Sequence, residues 1–495
     1  MTKVYVLYTG GTFGMKPNPK LAGSPLTAVA LHELRPKLPQ PADLPDCADI
    51  EVTFEELPGE RRIDSSSMTP DDWIAIAHRI RDRYDQYDGF VVIQGTDTLS
   101  YTASALSFMF ENLTKPIVVT GSQQPFLATR TDACLNYCHS LMIAGYKSTG
   151  LPCIPEVIVV FADKVMRGCR VRKMSASAWA GFDTPNAPLL GQIGDHIRIF
   201  EGQIRPPPLP DSNLRLHTSL ETDVLDFSLY PGMQPDHLRQ ILSLKKVRGV
   251  ILRTFGNGNA PEAQEFIEAL RNGIEKNDKH IVNITQCPQG EVEMGVYAAS
   301  VVLMDLGILS GSDMTPEAAL TKLMVLMGSS SSETVRREMQ IDQRGEQSHS
   351  LFNLENTNPA HKNTLIKGRT FDARHPHFKP HMLESAMLRI YGLVLDERSR
   401  DKPVTLGVYL NLPQAQVKGR SQITNPDPSK LICKFVLDPA QKRSKPFDIA
   451  QPLPIKEIKK HIRDHENSIS VVFDTGFYFR KVVLTLNTKS DRAGN

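Results

Sequence analysis

No run in this sequence reaches the roughly 18 consecutive apolar residues of a membrane-spanning helix, which argues against an integral membrane protein. A signal-peptide core is missing too. Met1-Thr2-Lys3-Val4-Tyr5-Val6-Leu7-Tyr8 meets Thr9-Gly10-Gly11 too early and reads instead as the first strand of the fold. Cysteine is sparse. Seven thiols, an odd number without a secretory signal, favour the reduced state and a cytosolic setting. Cys134, Cys138 and His139 have no second Cys/His pair at zinc spacing, so they read as buried thiols rather than metal ligands. Neither G-x-G-x-x-G nor G-x-x-x-x-G-K-[ST] occurs, and nucleotide binding is left without support. Internal repeats are absent.

What is present is an ordinary globular composition, 40% hydrophobic and 23% charged, on a chain of 495 residues. At roughly 150 residues per domain, that length predicts about three domains. The net charge of +2 is unevenly spread. From Ser348 onward there are 24 Lys and Arg against 14 Asp and Glu; the first 347 residues hold 33 against 41. An acidic body and a basic tail suggest two modules of different origin.

Val4–Tyr8 is a continuous apolar run, as expected of a buried parallel strand. Thr69-Pro70-Asp71-Asp72 is a helix start, with a Thr cap, Pro in the first turn and acids at the positive end of the dipole. Strands at 89–94 and 116–120 flank a helix at 100–113, which is the period of a parallel α/β sheet. A further strand is predicted at 157–162. Residues 1–204 then form a first α/β domain. Residues 205–232, with Pro206, Pro207, Pro208, Pro210 and Pro231, read as a linker. Residues 233–347 form a second α/β domain. A Pro-, His- and Asn-rich linker is expected over 348–385, and its segment 352–381 as the first protease target. Residues 386–495 read as a β-rich extension with one helix at about 455–465. The fold class is therefore α/β, two parallel-sheet domains followed by a β-rich third.

Ligands of open α/β sheets bind at the carboxyl ends of the strands. Two hydroxyl-rich glycine turns stand there, Thr9-Gly10-Gly11-Thr12 and Gly95-Thr96-Asp97-Thr98. Each threonine taken singly is a natural helix cap. Each is also a possible nucleophile if a base is nearby. Asp97 is placed to bind an ammonium. Lys173, in the cationic stretch Arg167-Gly168-Cys169-Arg170-Val171-Arg172-Lys173 after the 157–162 strand, is placed to face the same edge and serve as a base.

These motifs belong to a longer pattern. It includes Tyr8-Thr9-Gly10-Gly11-Thr12, Asp64-Ser65-Ser66-Ser67-Met68-Thr69-Pro70 and Gly95-Thr96-Asp97-Thr98. It continues through Val119-Thr120-Gly121-Ser122-Gln123, Arg167-Gly168, Tyr230-Pro231-Gly232, Gly258-Asn259-Ala260-Pro261, Gly311-Ser312-Asp313-Met314-Thr315 and Arg344-Gly345-Glu346. Over residues 1 to about 347 the chain resembles L-asparaginases of the cytoplasmic, type I branch. The resemblance implies that Thr12 is the nucleophile on the side-chain amide. It implies that Thr96, Asp97 and Lys173 are the second threonine with its aspartate and lysine. Ser65, Ser66 and Asp97 would hold the α-carboxylate and α-ammonium of L-asparagine, with Gly95 and Ser122 lining the amide. Asn259 would reach the site of a neighbouring subunit, with Glu291 or Glu293 as a cross-subunit carboxylate, so a homodimer or tetramer is implied. No metal or organic cofactor is required.

Two departures stand out. The family usually carries a tyrosine on the loop after the first strand, and residues 12–30 have none; the aligned place is near Gly23-Ser24-Pro25. The loop itself, with Gly14, Gly23 and three prolines, still reads as a lid. Arg172 stands where relatives with an allosteric asparagine pocket tend to have a small polar residue, although Arg253 and Cys287 match residues near that pocket. Two other readings stay open: a glutaminase-type amidohydrolase, and a catalytically weak amino-acid sensor or scaffold whose β-rich tail binds a protein partner. The basic tail lacks an aromatic-interleaved motif, so nucleic acid is not expected as a partner, and His375, His377 and His381 read as linker histidines.

Overall fold

A computed structural model describes residues 1–57, 62–294 and 298–356 and, beyond these, 365–367, 371–372, 380–395, 404–411, 417–418, 422–423, 428–437, 447–462, 466–467, 469–473, 477–478 and 481–489. The chain divides into two compact units, Met1–Ser348 and His349–Asp491.

The first unit opens with an eight-stranded sheet. Its strands in chain order are β1 (Thr2–Tyr8), β2 (Ile50–Glu56), β3 (Gly89–Ile93), β4 (Ile117–Thr120), β5 (Val157–Phe161), β6 (Lys164–Arg167), β7 (Gly191–Ile193) and β8 (Ile197–Ile199). Their order across the sheet is β8-β7-β6-β5-β4-β3-β1-β2. The five strands from β2 to β5 are mutually parallel, with Val6 opposite both Phe54 and Val91. Alternate residues supply two cores. Val4, Val6, Val91 and Ile93 face helix α3 (Ala133–Ala144) through Tyr137 and Leu141. Tyr5, Leu7, Phe90 and Val92 face α1 (Pro70–Arg83) and α2 (Leu99–Met109) through Ile76, Ile80, Ala103 and Leu106. Burial on both faces is why these strands read as unbroken apolar runs. The Asp72 carboxylate accepts from both the backbone N and the hydroxyl of Thr69 at 2.8 Å, which starts α1 at the expected residue.

A second parallel sheet follows, β9 (Val224–Ser228), β10 (Gly249–Thr254), β11 (His280–Thr285) and β12 (Leu309–Ser310), in that order. The stretch 205–232 is therefore not a plain linker. Residues 224–228 form the edge strand of the second sheet, and Arg215–Leu216 pairs with Phe110–Glu111. An edge strand buries only part of its surface, so Asp226 and Ser228 are tolerated and the apolar signal is diluted. Helix α4 (Pro316–Ser329) packs its Ala318, Ala319 and Leu323 into the same core as α2, joining the two sheets.

Buried ion pairs reinforce that junction. Lys322 and Glu346 meet at 2.5 Å with neither side chain exposed, and Lys322 also donates to the carbonyls of Met339 and Ile341. Arg170 pairs with Asp313 at 3.0 Å and donates to the carbonyl of Gly345 at 2.7 Å. Arg167 pairs with Glu156 at 2.6 Å. Burial alone would push the Glu346 carboxyl up; the Lys322 ammonium and several N–H donors outweigh it and hold Glu346 well below the usual carboxylate range. Ser348, the last residue of the unit, donates from N and Oγ to Asp313.

The second unit is β-rich. One sheet orders His349–Asn356, Lys481–Lys489, Leu383–Leu395 and Phe447–Pro452, with Phe477–Tyr478 on the end of the third strand. The other orders Leu365–Lys367, Ile469–Phe473, Val404–Leu410 and Leu431–Leu437. Leu388, Ile390, Leu406, Val408, Val471, Leu484 and Leu486 share a core with Ile458 of the helix Ile455–His461. Strands thus occupy part of the region expected as a linker, 348–385. The segment 349–356 pairs with 481–489, a partner more than 120 residues away that no local pattern announces. Within the expected protease target, residues 357–364, 368–370 and 373–379, including His375 and His377, lie outside the described residues; His381 sits in a 3-10 turn, Pro380–Met382. Among the described residues, no helix is long and apolar enough to cross a membrane.

A chain cut after Ser348 is expected to fold and to keep the activity of the first unit. A chain cut after Ile341 loses Glu346 and leaves the Lys322 charge buried and unpaired, a loss on the order of 3–5 kcal/mol. Urea unfolding of the two truncations measures the difference, and equal stability would contradict it.

A second expectation concerns acid. His280 at the start of β11 is 5% exposed, and its Nε2 lies 3.3 Å from Ser332 Oγ. Burial first, then the charge of Arg336, pushes the imidazole from 6.5 down to about 4. A histidine held neutral in the folded state contributes stability that is full above pH 6.5 and is lost as pH falls toward 4, at up to about 1.4 kcal/mol per pH unit. Thermal midpoints between pH 7.5 and 4 should fall less steeply for His280→Gln than for the wild type.

Candidate active site

Four turns leave the carboxyl ends of β1, β2, β3 and β4 side by side. Their backbone pairing continues past the strands: Thr9 N donates to Ile93 O at 2.9 Å, Ile63 N to Thr9 O at 2.8 Å, and Gln94 N to Thr120 O at 2.9 Å. Gly10 and Gly11 both have positive φ, 112° and 77°. A Cβ on Gly11 would stand 2.2 Å from the Cα and N of Gly95. The turn bearing Thr12 is thus laid directly on the turn bearing Thr96, an approach that only glycine permits.

The β3 turn carries the charged part of the site. Lys173 Nζ donates to Thr96 Oγ1 at 2.9 Å and to Asp97 Oδ1 at 2.7 Å. Lys173 reaches this edge from a two-residue ribbon, Arg172–Lys173 paired with Phe182–Asp183, and Phe182 packs against Phe161 of β5 with ring centroids 4.7 Å apart and planes tilted by 59°. Thr96 is buried, whereas the Asp97 side chain is 62% exposed and open to a ligand. The turn after β2 docks alongside. Ser65 Oγ accepts from Asp97 N at 3.1 Å, and Ser65 O accepts from Thr98 Oγ1 at 2.8 Å. Asp64 Oδ1 accepts from the N and Oγ of Ser66, both at 3.0 Å.

After β4, Ser122 is fully buried and its hydroxyl donates to Gln124 O at 2.7 Å. This loop is held by residues that the sequence reading missed. The Asp132 carboxylate accepts from the backbone N of Gln123 and of Gln124, and Asn136 Nδ2 donates to Gly121 O at 2.9 Å. Asp and Asn four apart at the start of α3 were the available signal.

The loop from Phe13 onward forms a hairpin, Met15–Pro17 with Leu26–Ala28, tied by an ion pair of Lys16 with Glu33. Ser24 lies at its tip with φ 49°. Tyr8, the tyrosine nearest in sequence to the turn bearing Thr12, is buried beneath Gly14 and donates to Val29 O at 3.2 Å.

Thr12, Ser65, Ser66, Gly95, Thr96, Asp97, Ser122 and Lys173 thus come together at one sheet edge. Asn259 does not join them within the chain. It sits in the turn after β10, where Phe255 N donates to Asn259 O, and its Oδ1 is buried without a partner. Glu293 lies beside that turn, its N donating to Asn257 O at 3.0 Å. At the junction of the two sheets, Asp226 takes Arg253 through both carboxylate oxygens. Burial there raises Glu317, opposed by the charges of Arg172 and Arg253. Among the described residues, no cluster of three or more His, Cys, Asp or Glu is placed to hold a metal.

The family model described as "Asparaginase, N-terminal" matches residues 3–205, and "Glutaminase/Asparaginase C-terminal domain" matches 223–339. The chain is 40% identical over 350 residues to L-asparaginase 1 of Escherichia coli (strain K12), covering 69% of this chain and 97% of the relative. It is 37% identical over 341 residues to the 60 kDa lysophospholipase of Mus musculus, covering 66% of this chain and 58% of that protein. Among solved structures, L-asparaginase I from Vibrio cholerae superposes with a TM-score of 0.62 at 38% identity, over 70% of this chain and 99% of the other. The thermostable L-asparaginase from Thermococcus kodakarensis gives 0.61 at 28% identity, over the same shares. With two turns abutting at Gly11 and Gly95, a lysine bonded to threonine and aspartate, and matches that run the length of the first unit, the chain belongs to the asparaginase family.

Proposed function

We propose that the protein is an L-asparaginase, hydrolysing L-asparagine to L-aspartate and ammonia through a threonine-bound acyl intermediate. The observation that carries this reading is the Thr96–Lys173–Asp97 group, bonded at 2.9 and 2.7 Å, set against the turn of a second threonine, Thr12. A sensor or scaffold has no need of that arrangement.

Thr12 Oγ attacks the side-chain amide carbon, and peptide N–H groups of the glycine turns receive the developing oxyanion. The proton lost by Thr12 passes to the amide nitrogen, which leaves as ammonia. The Thr96 hydroxyl, with Lys173 Nζ donating to its oxygen, takes a proton from the incoming water as its own moves on to the departing Thr12 oxygen. Water adds to the ester carbon and Thr12 is released. Asp97, half-free in the site, pairs with the substrate's α-ammonium; Ser65 and Ser66 hold the α-carboxylate beside it, and Gly95 and Ser122 line the amide. No cofactor enters these steps. Asn259, with its unpartnered Oδ1, is read as a group that serves the site of a neighbouring copy, with Glu291 or Glu293 next to it, so the working form is a homo-oligomer. Reduced thiols fit a cytoplasmic location, and the β-rich unit is read as an interaction module.

Ammonia release from purified protein with asparagine, and separately with glutamine, tests the reading; no release from asparagine would reject it. Thr12→Ala should lower kcat by about a thousandfold or more while the thermal midpoint stays within a degree or two. Retention of most of the rate would transfer the nucleophile's role to Thr96.

Asp97→Asn removes the charge that meets the α-ammonium, and KM for asparagine should rise about 10- to 100-fold. If the variant kept the wild-type preference for asparagine over its Nα-acetyl derivative, Asp97 would not be the ammonium ligand.

A further inference from the structure

The loop after Lys173 is closed by its own backbone. Met174 N donates to Gly181 O at 2.8 Å, and Ser175 Oγ accepts from Ala178 N at 3.0 Å. Met174 and Trp179 are nonetheless exposed, and few buried contacts hold the loop down. Two ties come from the loop after β4. Gln123 Nε2 donates to Ala178 O at 2.8 Å, and the Arg130 guanidinium lies 5.8 Å from the centre of the Trp179 ring. Gln123 is itself fixed, because Asp132 takes its backbone N through both carboxylate oxygens. Gly181 leaves the room this requires: a Cβ there would stand 2.5 Å from Gln123 Nε2.

Lys173 is the residue at the base of this loop. Its four-carbon stem has ample rotamer freedom, so bonds to Thr96 and Asp97 persist only if the backbone beneath it stays in register. On one side the ribbon to Phe182–Asp183 supplies that register. On the other side, the 174–181 loop is anchored to the rest of the unit by Gln123 and by the Arg130–Trp179 contact. We infer that Gln123 is a positioning residue for the hydrolytic step: its side-chain amide clasps the 174–181 loop to the Ser122 loop and thereby holds Lys173 on Thr96 and Asp97. This rests on the asparaginase reading for the role of Lys173, and on geometry alone for the clasp.

Two variants at different positions break the same bond. Gln123→Ala deletes the donor. Gly181→Ala leaves Gln123 in place but puts a Cβ 2.5 Å from its amide nitrogen, the free end of a flexible side chain, and 3.2 and 3.3 Å from the carbonyl oxygens of Ser175 and Ala178, which have only to give by a few tenths of an ångström. Both are expected to melt with the wild type and to be cut faster by chymotrypsin after Trp179. Both should lower kcat for asparagine about 10- to 100-fold with KM changed less than about threefold. In competitive acetylation followed by mass spectrometry, the reactivity of Lys173 against pH should shift in both relative to the wild type. Adding Arg130→Ala to Gln123→Ala should lower kcat by more than the product of the two single effects, since each tie then no longer backs up the other. Wild-type kcat and an unshifted Lys173 profile in either variant would overturn the inference, as would a loss confined to the thermal midpoint. Failure of the wild type to release ammonia would sink the asparaginase reading instead, and the Lys173 profile would still report on the clasp.

Discussion

The contact between the backbones of Gly11 and Gly95 is the constraint on which the site depends. Parallel strands β1 and β3 are neighbours, so their carboxyl ends are brought within one strand spacing by the sheet itself. That spacing still leaves room for side chains between the turns. Removing both Cβ atoms lets one turn rest on the other, and the hydroxyls of Thr12 and Thr96 are then carried by adjacent backbone rather than by long side chains. The gain is geometric. A reacting group on a short side chain above a paired backbone has little freedom to lose when substrate binds. The positive φ of Gly10 and Gly11 belongs to the same arrangement, because the chain must turn sharply to present Thr12 instead of burying it.

Around that contact the molecule places its charges by two different rules. The pair in the site, Lys173 with Asp97, keeps the carboxylate open to solvent. The pairs at the junction of the two sheets are fully enclosed, and each is surrounded by backbone donors or acceptors: Lys322 by two carbonyls, Glu346 by the N–H groups of Gln343 and Arg344. Enclosed pairs of this kind add little net stability over an apolar core, yet breaking one is severe. Arg170 belongs to this junction, and Lys173 follows three residues later, so the register of the lysine is set where the two halves of the unit are locked.

Much of this was legible in the sequence, and for identifiable reasons. Buried parallel strands announce themselves by unbroken apolar runs, and β1, β3, β4 and β5 were read where they lie. That Thr12, Thr96, Asp97 and Lys173 lie at one sheet edge was legible because the first three stand in hydroxyl-rich turns after strands and Lys173 follows another strand. The strand 224–228 was not, since an edge strand with Asp226 half out of the core resembles a loop. Asp132 and Asn136 were not picked out, since their four-residue spacing marks a helix start but does not say that the groups they hold belong to a loop about ten residues upstream. The lid tyrosine that the family usually carries has no counterpart in the hairpin; Tyr8 is committed to Val29 beneath it.

The β-rich unit was recognisable as a change of texture, but its organisation depends on a pairing that local reading misses. His349 stands opposite Lys489, and the two strands run antiparallel through Asn356 and Val482. The unit's first and last strands are therefore hydrogen-bonded neighbours at the edge of one sheet. A unit whose two ends meet in this way closes its own core, here built from Leu388, Leu406, Val471 and Leu484 among others, without drawing a strand from elsewhere.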